Sequence, residues 1–322
     1  MNEAIDKTHQ VAERTRRPRF PNELLRRLVR EKPLGTVGAV LVLVMFFAGV
    51  FSEFLAPCGM NEYNLDHRLE GPSAQFILGT DQLGRDMLSR IIFGARISII
   101  VGLAASSISA VVATAIGLTS GFFGGKFDIL MQRFVDAWIC FPGLVIYLLL
   151  MSIIGSGLLQ VILVLGIGSG IGGSRLIRSA VISLRGNVYI EAAQAIGAST
   201  QRILLRHLLP NIVPIIIIRF TLGMAGVILA EASLSFLGFG IPPPYPSWGG
   251  MLSGRSRLYM LQAPWMALWP GVALSLAVYG INMFGDAIRD LFDPRLRGGI
   301  GGMGSFGAQR AMKALKKRDK KN

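Results

Sequence analysis

Six stretches of this 322-residue chain are apolar for about the length of a bilayer crossing: 34–56, 95–119, 130–154, 158–180, 211–231 and 266–288. A hydrocarbon core about 30 Å thick takes about 20 helical residues at a rise of 1.5 Å each, and only a helix or a closed barrel satisfies every backbone polar group in lipid. The spacing therefore predicts an all-α polytopic membrane protein of about six transmembrane helices. With 52% hydrophobic and only 16% charged residues, the chain is too apolar for a soluble domain of its length.

The first run follows basic residues and ends in Leu55-Ala56-Pro57-Cys58, superficially like a lipoprotein cleavage site. It is longer than a signal-peptide core, the segment before it is long, and proline stands where a small residue is needed. It reads as a retained spanning helix.

The formal charge is +14, yet the basic residues form no face interleaved with aromatics, so nucleic acid is not an expected partner. They collect instead before residue 33 and after residue 312, with Arg175, Arg178, Arg185, Arg202 and Arg206 in the 175–210 connection and Lys126 in a short loop. The other side carries Arg68, Arg85, Arg90, Arg255 and Arg257. An excess of Lys and Arg marks cytoplasmic segments, which puts both termini in the cytoplasm. The expected organisation is a basic cytoplasmic segment 1–33, a first helix 34–56, an outer loop 57–94, a core 95–297 with five helices, and a Gly/Lys-rich cytoplasmic tail 298–322. That tail is either a membrane-skimming extension or an end with no role.

Chemistry is sparse. Cys58 and Cys140 lie far apart, as do His9, His67 and His207, and neither set has metal-ligand spacing. The sole phosphate-loop candidate, Gly121 to Phe127, has the wrong spacing and no Ser or Thr after Lys126. No catalytic residue, metal or cofactor is expected in this chain, and any energy source has to act through a cytoplasmic surface.

The longest cytoplasmic connection is the candidate for that surface. Residues 190–196 are good helix formers, Gly197 suits a left-handed stop, Ser199 or Thr200 can cap, and Pro210 can close a second helix. The reading is two short helices joined at a glycine. In the second, Ile203, Leu204 and Leu208 share a side opposite Arg202 and Arg206, a pattern that fits either the bilayer surface or a partner's groove.

Glu191-Ala192-Ala193, three residues, Gly197 and a spacer ending in Leu209-Pro210 resemble the EAA loop of bacterial ABC importer permeases. The variant Arg206-His207-Leu208-Leu209-Pro210-Asn211 is similar to that of the dipeptide, oligopeptide and nickel permeases, where most of the superfamily has an aliphatic residue at His207. Leu78 to Asp86, Ser233 to Leu252 and Asn282 to Arg295 resemble further segments of that subfamily, in order, so the likeness covers nearly all of 34–297. It implies a type I importer permease fold, the C-type subunit of a peptide importer, with Glu191, Ala192, Ala193, Gly197, Arg202, Arg206, His207, Leu209 and Pro210 docking on a separate ATPase. It further implies a second permease subunit, two ATP-binding subunits that hold ATP and magnesium, an extracytoplasmic solute-binding protein and a peptide substrate. An importer for nickel or another small solute is the nearest alternative, and a non-conducting membrane anchor for an ATPase the alternative of another class.

Other positions carry narrower expectations. Pro142 should kink the third span, making Phe141 and Pro142 candidates for a gate. Glu231 either lines the pathway or reaches headgroups, Arg219 snorkels to the inner interface, and Asp136 pairs with Arg133. Pro242, Pro243 and Pro244 form a stiff outer connection with Trp248 in the interfacial belt, where they either contact the binding protein or plug the loop. Glycines four apart, Gly166 with Gly170 and Gly168 with Gly172, give either close helix packing or a hinge.

Overall fold

A computed structural model describes residues 28–259 and 261–292. The basic segment before residue 28, the segment Asp293-Pro294-Arg295 and the 298–322 tail lie outside the described residues. Within them every regular element is helical, apart from one isolated bridge between Thr80 and Asp86.

The principal helices are α1 (Pro33–Val50), α2 (Met87–Phe123), α3 (Gly125–Ile139), α4 (Gly143–Ile154), α5 (Leu158–Arg185), α6 (Val188–Ala195), α7 (Leu209–Phe236) and α8 (Trp265–Phe292). Among the described residues five helical stretches are long and apolar enough to cross a membrane, and a sixth span exists if α3 and α4 count as one. Those two meet at an angle of 88°. The expected single kinked helix over 130–154 is thus a right-angled elbow. Pro142 heads α4, where its missing N–H costs nothing, and its carbonyl accepts from Val145 N–H at 2.9 Å.

Two compact units emerge from the described residues. In the smaller, whose described residues are 28–36 and 287–292, Lys32 Nζ meets Asp290 Oδ2 at 2.5 Å and Gly35 lies against Ala287.

In the larger unit, 37–286, α2 threads three apolar clusters. Near its start Ile99 packs with Met45, Met224, Ile228, Trp248, Met266 and Ile281. Midway Val101 and Ala105 meet Met151, Val161, Leu165 and Val227. Toward its end Ala113 and Phe122 meet Ile177, Val181, Ile190, Ile203, Leu208 and Ile212. This last cluster anchors the 187–210 connection to the spans.

Small residues set the closeness of α2 and α5. A Cβ on Gly166 would lie 2.8 Å from Ile108 Cβ and one on Gly170 2.7 Å from Val112 Cβ. From the opposite side, Gly117 and Gly121 of α2 face Ser174, Ile177 and Val181 of α5 at comparable distances. α5 runs unbroken through its glycines, so close packing rather than a hinge is what Gly166 and Gly170 provide. Charges add to this on the α3 side. Arg178 clasps Asp128 through two nitrogens, and Arg175 pairs with Asp136, which lies only 3.9 Å from its sequence neighbour Arg133. Charge within a span is costly unless paired in this way.

The segment Leu78 to Asp86 is a folded collar that starts α2. Buried Asp81 accepts Leu83 N–H at 2.8 Å, Arg85 N–H at 3.0 Å and Arg85 Nε–H at 2.7 Å. Asp86 caps α2, accepting Ser89 N–H at 2.8 Å and Ser89 Oγ–H at 2.6 Å. Cys58 N–H donates to that same Ser89 hydroxyl at 3.0 Å. Burial and the carboxylates of Asp86 and Glu62 push the Cys58 thiol above its usual range, away from reactivity. Removing the cap by Asp86→Ala is expected to cost about 1–2 kcal/mol. A thermal unfolding scan of the detergent-purified protein should show the lower midpoint.

Candidate functional site

The 187–210 connection begins after Arg185 with a tight turn at Gly186 and Asn187, from which α6 rises. Two carbonyls at the end of α6 are closed by a left-handed glycine. Gly197 has φ +78°, its N–H donates to Gln194 O at 2.9 Å, and Ala198 N–H donates to Ala193 O at 3.0 Å. That pair of bonds is the Schellman ending, which glycine makes without strain. Ser199 then caps the next turn through Arg202 N–H at 3.4 Å.

The second arm differs from the expectation of a short, separate helix. Thr200–Arg202 leads into a wide turn over Ile203–Leu208, in which Leu209 N–H reaches Leu204 O, and then into α7 without a break. Pro210 therefore closes nothing. Its ring would press on the carbonyl four residues back in a regular α-helix, and the wide i→i+5 turn just ahead relieves that contact. Asn211 Nδ2 donates to the His207 carbonyl at 2.5 Å, satisfying one acceptor at this irregularity.

Burial divides the segment in two. Ile190, Ile203 and Leu208 point into the inner cluster, and Ala193 is buried as well. Glu191, Ala192, Gly197, Arg202, Arg206 and Pro210 are exposed, and His207 and Leu209 are half-buried. Exposed beside them are Val188 at 80%, Ile196 at 85% and Leu205 at 62%. Those three apolar side chains were not among the expected site residues. The segment thus presents three exposed apolar side chains next to an acidic residue and two arginines.

Residues 113–298 match the family of binding-protein-dependent transport system inner membrane components. The chain belongs to that family. Among curated relatives of this inner membrane component, the dipeptide transport system permease protein DppC of Alkalihalophilus pseudofirmus is 38% identical over 269 residues, 84% of this chain and 88% of that protein. The glutathione transport system permease protein GsiD of Escherichia coli O157:H7 is also 38% identical, over 273 residues, 84% and 90% of the two chains. In fold the component is similar to a chain of the MetNI methionine ABC transporter in an inward-facing conformation, with a TM-score of 0.50 and 18% identity, covering 64% of this chain and 98% of that one. The all-helical, multi-pass architecture is thus that of an ABC importer permease.

The remaining site residues of this permease are scattered. Phe141 and Pro142 are exposed at the elbow between α3 and α4, while Trp138, one turn before, is tied to α5 through Nε1–H to Gly168 O at 3.2 Å. Glu231 is 1% exposed and accepts Ser235 Oγ–H at 2.7 Å, so its carboxylate is turned into the protein rather than out to headgroups. Pro242, Pro243 and Pro244 are exposed.

Trp248 corrects the interfacial-belt expectation. It is 3% exposed, its Nε1–H donates to Ile91 O at 3.1 Å, and its indole lies over Gly94, where a Cβ would be 2.6 Å away. A glycine in the facing helix makes the slot, and a carbonyl in the slot satisfies the indole, so burial wins. Arg219 corrects the snorkelling expectation. Its side chain turns sideways into the bundle, where Nη2–H donates to Ser169 O at 2.6 Å and weakly to Ser109 Oγ at 3.4 Å.

Proposed function

We propose that this permease forms half of the translocation pathway of an ABC importer for di- and oligopeptides, driven through the 187–210 segment by a separate ATPase. One observation carries the substrate class: two relatives matching over 84% of this chain are named for the transport of dipeptides and of glutathione, itself a tripeptide. Residues Glu191, Ala192, Gly197, Arg202, Arg206, His207, Leu209 and Pro210, joined by Val188, Ile196 and Leu205, form a docking knob, with Ala193 buried beneath it. ATP and magnesium belong to two partner subunits. A second permease completes the pathway and an extracytoplasmic binding protein delivers the peptide, with both termini of this chain in the cytoplasm of a bacterial or archaeal cell.

Continuity of the second arm with α7 supports a mechanical role. A push on the exposed knob is carried into α7 through one unbroken helix from Thr200 to Phe236, and into α5 through the packing of Ile190 on Ile177 and Val181. Closure of the ATPases would then rock both helices together.

The test is ATP-dependent accumulation of a labelled dipeptide in proteoliposomes holding the full importer and its binding protein. Accumulation that requires ATP and this chain is the expected result. Uptake confined to nickel or another non-peptide solute would overturn the substrate class, and assembly without any uptake would favour the anchor reading.

A further inference from the structure

Within the larger unit, α2, α4, α5 and α7 line an open cavity of about 380 Å³ whose wall carries Arg219, Ser106, Ser109 and Tyr147. Arg219 lies ten residues, about 15 Å along the axis, from the start of α7. Space for its guanidinium is built in, because any Cβ on Gly173 would collide with it. On α7 the wall is recessed at Gly223 and Gly226, where a Cβ would meet nothing within 4 Å.

The wall has donors in excess. A guanidinium offers five N–H groups. Among the described residues Arg219 has the Ser169 carbonyl and the distant Ser109 hydroxyl as hydrogen-bond acceptors, no carboxylate within ion-pair distance, and an Nε that makes no hydrogen bond. Ser106, 2% exposed, leaves its hydroxyl without a partner as well. Packing alone does not explain an arginine held at this depth with its charge unmatched, whereas a ligand bringing two acceptor oxygens and a negative charge matches it.

We propose that this cavity is an intramembrane stopping point for the terminal carboxylate of the transported peptide, with Arg219 as its counter-charge and Ser106 and Ser109 as hydrogen-bond donors. The peptide identity rests on the proposed function; the anion site rests on the cavity alone. Selection would thereby have a second stage after the binding protein, since a molecule without a carboxylate leaves Arg219 unmatched in the pathway.

The experiment is charge-selective labelling of the assembled importer in nanodiscs. This chain carries Cys58→Ser, Cys140→Ser and Ala110→Cys, the last on the cavity wall, and its modification is read by mass. Relative to a free thiol, the sulfonatoethyl methanethiosulfonate reagent is expected to react at least about tenfold faster than the trimethylammonioethyl one, because a fixed charge in a narrow site concentrates counter-ions. That preference should persist in Arg219→Lys and vanish in Arg219→Gln. Millimolar dipeptide should slow the labelling, and its C-terminal amide should not. Absence of any charge preference overturns the site, and is what an acidic side chain of the second permease neutralising Arg219 would produce. Equal protection by dipeptide and amide overturns the carboxylate assignment, and it does so with Arg219 intact, so no folding defect can mask it. Dipeptide uptake by the unmodified importer is scored separately: uptake without charge preference removes this inference alone, while charge preference without peptide uptake or protection removes the peptide reading and with it the proposed ligand.

Discussion

Gly197→Pro in the assembled importer is expected to abolish peptide uptake while the protein still inserts in the membrane. Proline holds φ near −65°, and this position sits at +78°. The substitution also removes the N–H that donates to Gln194 O and dislodges the neighbouring bond from Ala198 N–H to Ala193 O. Both bonds of the helix ending fail together, so α6, with Glu191 and Ile196, loses its set angle to the arm that continues into α7. Losing about 3 kcal/mol of docking energy would lower occupancy of the ATPase cleft by about two orders of magnitude. Gly197→Ala, which asks only that an L-residue sit in the left-handed region at about 1–2 kcal/mol, should keep the ending and retain partial uptake. Paired assays of vesicle uptake and ATP hydrolysis separate the outcomes. The proline variant should either hydrolyse ATP without stimulation by the binding protein or fail to retain the ATPase on purification. Uptake at the level of the unmodified importer would mean that this segment does not couple.

Much of this architecture was legible because bilayer thickness is written directly into segment length. The stop at Gly197 and the cap at Ser199 were legible too, since each rests on local backbone chemistry. The arm beyond Ser199 was not. Pro210 is a helix breaker by propensity, and only the wide turn over Ile203–Leu208 lets one helix run through it. A hydropathy profile carries no sign of such a turn.

Arg219 and Trp248 were misread for the opposite reason. Each residue type has a known preference at membrane interfaces, but a distant glycine offered each a better place, Gly173 for the guanidinium and Gly94 for the indole. Such complementarity lies between segments far apart in sequence and is invisible to any window along it. Asp128 and Arg178 form a similar case. Neither stands out alone, and only the fold shows that they neutralise each other across α3 and α5.

The second large effect concerns the glycines between α2 and α5. Gly117→Leu is expected to prevent stable folding, whereas Gly172→Ala should leave folding unchanged. At Gly117 a Cβ would lie 2.6 Å from Ser174 O, 2.7 Å from Ile177 Cβ and 2.9 Å from Arg178 N. Two of these are backbone atoms of a helix, so relief requires moving α5 away from α2. That separation would also pull Arg178 from Asp128 and open the inner cluster around Val181 and Ile190, adding to an overpacking penalty of about 1–3 kcal/mol. At Gly172 the nearest atom, Ile139 Cγ1, is 3.9 Å away, an ordinary contact. Membrane yield and detergent unfolding midpoints of the two variants provide the measurement. Spacing of four residues marks both Gly168 with Gly172 and Gly117 with Gly121, so the motif cannot rank them. The contact geometry does, and equal stability of the two variants would show that α2 and α5 do not meet where their glycines place them.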